Sequence, residues 1–210
     1  MKLHHRKFGP PPVAKGPPTL VLLHGYGADE LDLVPLGAEL DPSLPIVSLQ
    51  GPLSLGGGMR AWYHLQQTRT GFQVDPDEVR EGSALVAEAV AELVAERGKV
   101  VLAGFSQGGG MAAREALAHP EGVLGLVTLS GVPPRLDEAH RAPAVALRGL
   151  PVFAAHGLAD QLLDIGLGHL LRDELQSAGC EVSFHKYEMG HTIIPAELDD
   201  LRSWLARLKR

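Results

Sequence analysis

The sequence predicts an α/β domain, with a mostly parallel central sheet and helices on both faces. Two observations carry this prediction. Short, continuous apolar runs recur along the chain, the pattern of strands buried on both sides. Segments with helical signals, opened by capping residues and stopped by glycine, separate these runs. Strands joined through helices run parallel, because each crossover brings the chain back to the same end of the sheet.

The elements follow in order. Residues 1–18 are a leader, expected as an edge strand plus a Pro-rich loop, and residues 19–210 are expected as one domain. The run at 19–25 (TLVLLHG) is a buried strand ending in glycine. A helix with Leu31, Val34 and Leu36 to Leu40 follows, then a short strand at 44–49. From 51 to 74 the periodicity is lost, and Gly56-Gly57-Gly58 reads as a flexible loop. Asp75-Pro76-Asp77-Glu78 combines an N-cap, a proline at the first helical position and an acid two residues on, so a long helix runs from there to Gly98. Strands at 99–105, 123–129 and 151–155 are apolar, and the strand at 181–187 alternates. Helices are expected at 107–118, 165–178 and 195–208. In such a sheet ligands sit outside the carboxyl ends of the strands.

Composition narrows the function. Of the 210 residues 45% are hydrophobic and 21% charged, enough to build a real core. A formal charge of −6 supplies no basic stripe for a phosphate backbone, so no nucleic-acid partner is expected and a small molecule is. The single cysteine, Cys180, cannot form an internal disulfide. No stretch approaches the roughly 18 apolar residues of a membrane span, and the N-terminus lacks a signal-peptide core, so a cytoplasmic protein with no membrane span is expected. Metal is not expected: His4 and His5 are adjacent, no H-E-x-x-H occurs, and one cysteine excludes the usual zinc clusters. No cofactor is expected either, since the glycine triplet has no P-loop lysine after it.

The chemistry centres on Gly104-Phe105-Ser106-Gln107-Gly108, a G-x-S-x-G sequence where a strand turns into a helix. That turn lifts the serine hydroxyl above the sheet and points the helix's N-terminal amides at the reacting carbon. Serine needs a base, and in this arrangement the partners follow in the order acid, then histidine. Of ten histidines, His191 lies past the last strand in a loop before the last helix, where it can reach over the sheet. For the acid, Asp160 and Asp164 both follow the strand at 151–155; Asp160 is nearer its end, and Asp164 suits an N-cap for the helix at 165. Glu188 and Asp137 read as solvated charges. The oxyanion amides are assigned to Tyr26, after the early strand, and Gln107.

These motifs share an order with a known family. The sequence resembles the carboxylesterase and acyl-protein thioesterase family of α/β-hydrolases, also called the phospholipase/carboxylesterase family. The resemblance rests on His24-Gly25-Tyr26-Gly27-Ala28-Asp29 with Asp32-Leu33, on Arg60-Ala61-Trp62-Tyr63, and on Gly104-Phe105-Ser106-Gln107-Gly108-Gly109. Leu129-Ser130-Gly131, His156-Gly157-Leu158-Ala159-Asp160 and Gly190-His191 complete it. It implies an α/β-hydrolase fold without a large lid domain, a Ser106–Asp160–His191 triad, and hydrolysis of carboxylic esters, lysophospholipids or protein-linked thioesters. It also leaves room for a homodimer. The sequence departs from the family pattern at His64, where an acid is usual, and at Asp164, where proline is usual. Rival readings are a peptidase or lactone hydrolase with the same triad, and a non-catalytic binding protein on the same fold.

Only residues 52–74 and 133–149 remain as free polypeptide above the sheet, too little for a deep lid. An open groove lined by Tyr26, Trp62 and Leu162 is therefore expected, suited to short and medium acyl chains.

Overall fold

The computed structural model describes residues 2–11, 16–69 and 71–208. Its first half contains β1 (His5–Phe8), β2 (Thr19–Leu23), α1 (Val34–Leu40) and β3 (Ile46–Leu49). Two small hairpins follow, β4 (Leu53–Gly56) with β5 (Met59–Ala61) and β6 (Gln66–Thr68) with β7 (Gly71–Gln73). Then come α2 (Pro76–Arg97), β8 (Val100–Phe105), α3 (Gln107–Ala118) and β9 (Val123–Leu129). A 3-10 turn (Glu138–His140) and the short α4 (Ala144–Leu147) lead to β10 (Pro151–Gly157), α5 (Ile165–Ser177), β11 (Glu181–Tyr187) and α6 (Pro195–Leu208).

Seven strands form the main sheet in the order β1-β3-β2-β8-β9-β10-β11. All neighbours are parallel except β1, which pairs antiparallel with β3 at the edge. Strand β1 lies within the leader, and residues 12–15 of the expected Pro-rich loop lie outside the described residues. Two apolar layers cover the sheet. On one face Val86 and Val90 of α2, Ala112 and Ala116 of α3, and Leu171 and Leu175 of α5 pack on Val21, Leu102 and Val152. On the other, Leu36 and Leu40 of α1 and Leu201 and Trp204 of α6 pack on Leu22, Val127 and Phe153. Central strands are therefore buried on both sides, which is why they read as unbroken apolar runs. No helix among the described residues is long and apolar enough to cross a membrane.

Local chemistry sets the ends of the elements. The Asp75 carboxylate accepts the Asp77 N–H at 2.9 Å, and Gly98 with φ of 82° ends α2. The stretch at 51–74 differs from the expected loop. Gly56, Gly57 and Gly58 all have positive φ, a conformation that suits glycine, and they turn the chain from β4 into β5. Strands of three or four residues with a register shift are too short to show a two-residue period in sequence. Strand β10 also runs two residues past its expected end, which carries His156 into the sheet.

Candidate active site

At the end of β8 the chain reverses through Ser106, whose φ of 55° and ψ of −118° lie outside the regions L-residues favour. Its N–H donates to Leu129 O at 2.9 Å, so the strained turn is anchored to β9. Glycine flanks it from necessity. A Cβ on Gly104 would lie 2.2 Å from Gly108 O, and one on Gly108 would lie 2.0 Å from Leu23 O. Helix α3 therefore starts close against β8 and β2, with its positive dipole end beside the Ser106 hydroxyl.

His191 meets that hydroxyl, its Nε2 standing 3.0 Å from Ser106 Oγ. Its Nδ1 lies 2.7 Å from Asp160 Oδ2. A carboxylate only accepts, so Nδ1 carries the proton and Nε2 is free to take one from serine. Asp160 is held in turn: its Oδ1 accepts the N–H groups of Leu162 and Leu163 at 3.0 and 2.9 Å. Burial alone would raise the Asp160 pKa, but the Leu163 N–H, His191 and the Leu162 N–H together hold it below the ordinary value. The acid and base loops are also tied by backbone, Ala159 N–H donating to Met189 O at 3.0 Å. Gly157 permits this approach, since a Cβ there would sit 2.4 Å from Met189 O.

A second histidine stands under this loop. His156 is buried, its Nε2 donates to Leu163 O at 2.8 Å, and the same nitrogen is 3.6 Å from Asp160 Oδ2. Its place four residues before Asp160 is the signal that the sequence offers for it. Asp164 does not touch the site: its carboxylate accepts the Gly166 N–H at 2.8 Å and caps α5.

The backbone N–H groups of Tyr26 and Gln107 have no acceptor among the described residues. Side chains tie their surroundings together. The buried Gln107 amide accepts the Trp62 N–H at 3.0 Å and donates to Tyr63 O at 2.8 Å. The Trp62 indole N–H donates to His24 O at 2.9 Å, two residues before Tyr26. His24 Nε2 accepts the Gly51 N–H at 2.9 Å, and burial lowers its pKa, so it is a neutral structural base. Gly27 N–H to Arg60 O and Arg60 N–H to Ala28 O fasten the same loop to β5.

The family model described as phospholipase/carboxylesterase matches residues 11–209. The chain belongs to that family. The Bacillus subtilis protein MhqD is 32% identical to it over 191 residues, covering 89% of this chain and 91% of that one. Acyl-protein thioesterase 1 of Cryptococcus neoformans is 27% identical over 232 residues, covering 97% and 96%. Among solved structures, a carboxylesterase from Mesorhizobium loti superposes with a TM-score of 0.80 at 26% identity, covering 97% of this chain and 94% of that one.

Within the family pattern the two departures have local partners. His64 donates its N–H to the Glu78 carboxylate at 2.8 Å and holds Nδ1 3.0 Å from the same group, pinning the segment to the first turn of α2. Asp164 is the α5 cap already described. One expected lining residue is corrected. Trp62 is 1% exposed and packs with Val21, Leu23 and Val86 in the core, so it cannot wall an open groove. Tyr26 and Leu162, at 38% and 54% exposure, are the two that do face solvent.

Proposed function

We propose that the protein is a serine hydrolase cleaving carboxylic esters and thioesters through an acyl-enzyme. The carrying observation is the line from Ser106 Oγ through His191 to Asp160, at 3.0 and 2.7 Å, beside two backbone amides without acceptors among the described residues. His191 Nε2 takes the Ser106 proton as Oγ adds to the substrate carbonyl carbon, and the oxyanion formed is met by the Tyr26 and Gln107 amides. The bond to the leaving oxygen or sulfur then breaks, its electron pair departs with that atom, and His191 returns the proton to it. Water adds to the acyl-Ser106 by the same route, His191 accepting its proton and handing it back to Oγ as the carboxylic acid leaves. Asp160 keeps the imidazole in one tautomer and stabilises its charged form.

The name of the Cryptococcus relative supports thioesters as well as esters. Short and medium acyl chains are part of the proposal: the two segments above the sheet are hairpins and short helices, and neither has the length of a lid domain. So is a cytoplasmic setting, in keeping with the single cysteine. A fluorophosphonate probe tests the core claim. One label per chain is expected at Ser106, with Ser106→Ala and His191→Ala each abolishing turnover of p-nitrophenyl butyrate and the double variant losing little more. Additive losses, or an active Ser106→Ala protein with intact circular dichroism, would overturn it.

A further inference from the structure

A groove of about 350 Å³ runs between α1 and the start of α6. Leu33 and Leu36 line one side, Ile193 and Leu198 the other, and Phe105 and His191 form part of the wall. Asp32 and Glu39 stand in the same lining, and no lysine or arginine does. Glu39 lies three residues after Leu36 on α1 and Asp32 in the turn that precedes the helix, and both line the groove. Arg202, which donates to the Glu39 backbone O at 3.1 Å, is paired with Asp199.

We infer that this groove is the leaving-group subsite of the proposed hydrolase, selecting apolar alcohols and thiols that are uncharged or cationic over anionic ones. The inference rests on the serine-hydrolase reading. In that reaction the departing atom must take its proton from His191 Nε2, so the leaving arm passes the imidazole whose ring is part of this groove. The acyl arm diverges from it at the carbonyl carbon. Aliphatic walls reward each methylene they cover with roughly a fourfold gain in binding. Two carboxylates above those walls attract a cation and repel an anion, and an anionic group entering the groove would shed water without meeting a cation. Both carboxylates are exposed, so the selection weakens with salt.

Three butyryl thioesters test this, differing only in the thiol: thiocholine, 2-mercaptoethanol and 2-mercaptoethanesulfonate. All pass through the same butyryl-Ser106, so differences in kcat/KM arise in acylation, while the leaving group is still bound. Each rate is divided by that for alkaline hydrolysis of the same compound, which removes intrinsic reactivity. The cationic thioester is expected to exceed the anionic one by about tenfold at low salt, shrinking severalfold at about 0.5 M salt. In the Asp32→Asn/Glu39→Gln double variant the ratio should fall to within about twofold of unity. Equal or reversed preference in the unaltered protein, or a preference the double variant keeps, overturns the subsite and leaves the hydrolase reading standing. If none of the three is cleaved and Ser106 takes no fluorophosphonate, both fall.

Discussion

Two carboxylates four residues apart illustrate how much one side chain's surroundings decide. The Asp160 carboxylate accepts two backbone N–H groups and the His191 Nδ1–H, while the Asp164 carboxylate accepts the Gly166 N–H at the start of α5. Converting Asp160 to Asn keeps the shape but presents an N–H where the imidazole needs an acceptor, which favours the wrong tautomer. A fall in kcat on the order of 10⁴ is expected, with the fold retained. Converting Asp164 to Ala removes a cap, so about 1 kcal/mol of stability should go, with little change in rate. Paired urea titrations and steady-state assays decide this, and the opposite assignment of effects would mean the acid lies elsewhere. The two roles were separable in sequence because chain order and distance from a strand end are local facts. His156 was not separable in the same way: its bond to Leu163 O exists only because β10 continues through it and the loop folds back.

Among elements, the hairpin β4–β5 does more than its length suggests. It fills space between the loop after β2 and the start of α2, so that a Cβ on Gly82 would sit 2.6 Å from Trp62 O and one on Gly51 equally near Ala61 O. Trp62 is buried by that folding back, which no pattern within 51–74 announces; an aromatic in an aperiodic segment was therefore read as a groove wall. Its indole N–H holds His24 O, and Gln107 holds its backbone, so the loops bearing the two candidate oxyanion amides are braced against each other. Trp62→Phe keeps most of the packing and deletes the indole donor. We expect kcat to drop about tenfold, in line with the loss of one buried hydrogen bond, with KM nearly constant. Affinity for a boronic acid that mimics the tetrahedral state should fall by the same factor, whereas a merely structural role would leave that affinity level with KM. Trp62→Ala should cost about 3–5 kcal/mol of stability. Unchanged kcat in Trp62→Phe, with an altered dependence on acyl-chain length, would restore the wall reading.

Over the whole molecule, topology was legible and the burial of polar groups was not. Apolar runs and caps are local, and they located every main-sheet strand from Thr19 onward and each long helix. Glu197 shows the limit. An acid in the first turn of a helix looks like a surface charge favoured by the dipole, yet α6 packs so that Glu197 is 0% exposed and neither carboxyl oxygen has a hydrogen-bond partner among the described residues. Burial pushes its pKa up to about 7, the Ile194 N–H, outside good hydrogen-bond geometry, offsetting only part of the effect. Between the ordinary glutamate value and 7 the folded chain holds a proton that the unfolded chain has lost, so stability falls as pH rises through that window. Beyond about pH 7 the full penalty remains, on the order of 3 kcal/mol. Glu115 and Glu174, also raised by burial, tilt the profile the same way. Asp160 acts in the opposite sense: its lowered pKa adds stability above the ordinary aspartate value, lost as pH falls through its folded value. His24 opposes Glu197, since with its lowered pKa stability is lost as pH falls from the ordinary histidine value through the folded one. Between about pH 5 and about pH 8 the urea midpoint of the unaltered protein should change less favourably than that of Glu197→Gln, which lacks the titration that costs stability in this window. Comparing the two pH values cancels any fixed cost of the amide. A variant whose midpoint changes by the same amount as the parent's would show that Glu197 is already ionised in the fold, with a partner for its charge.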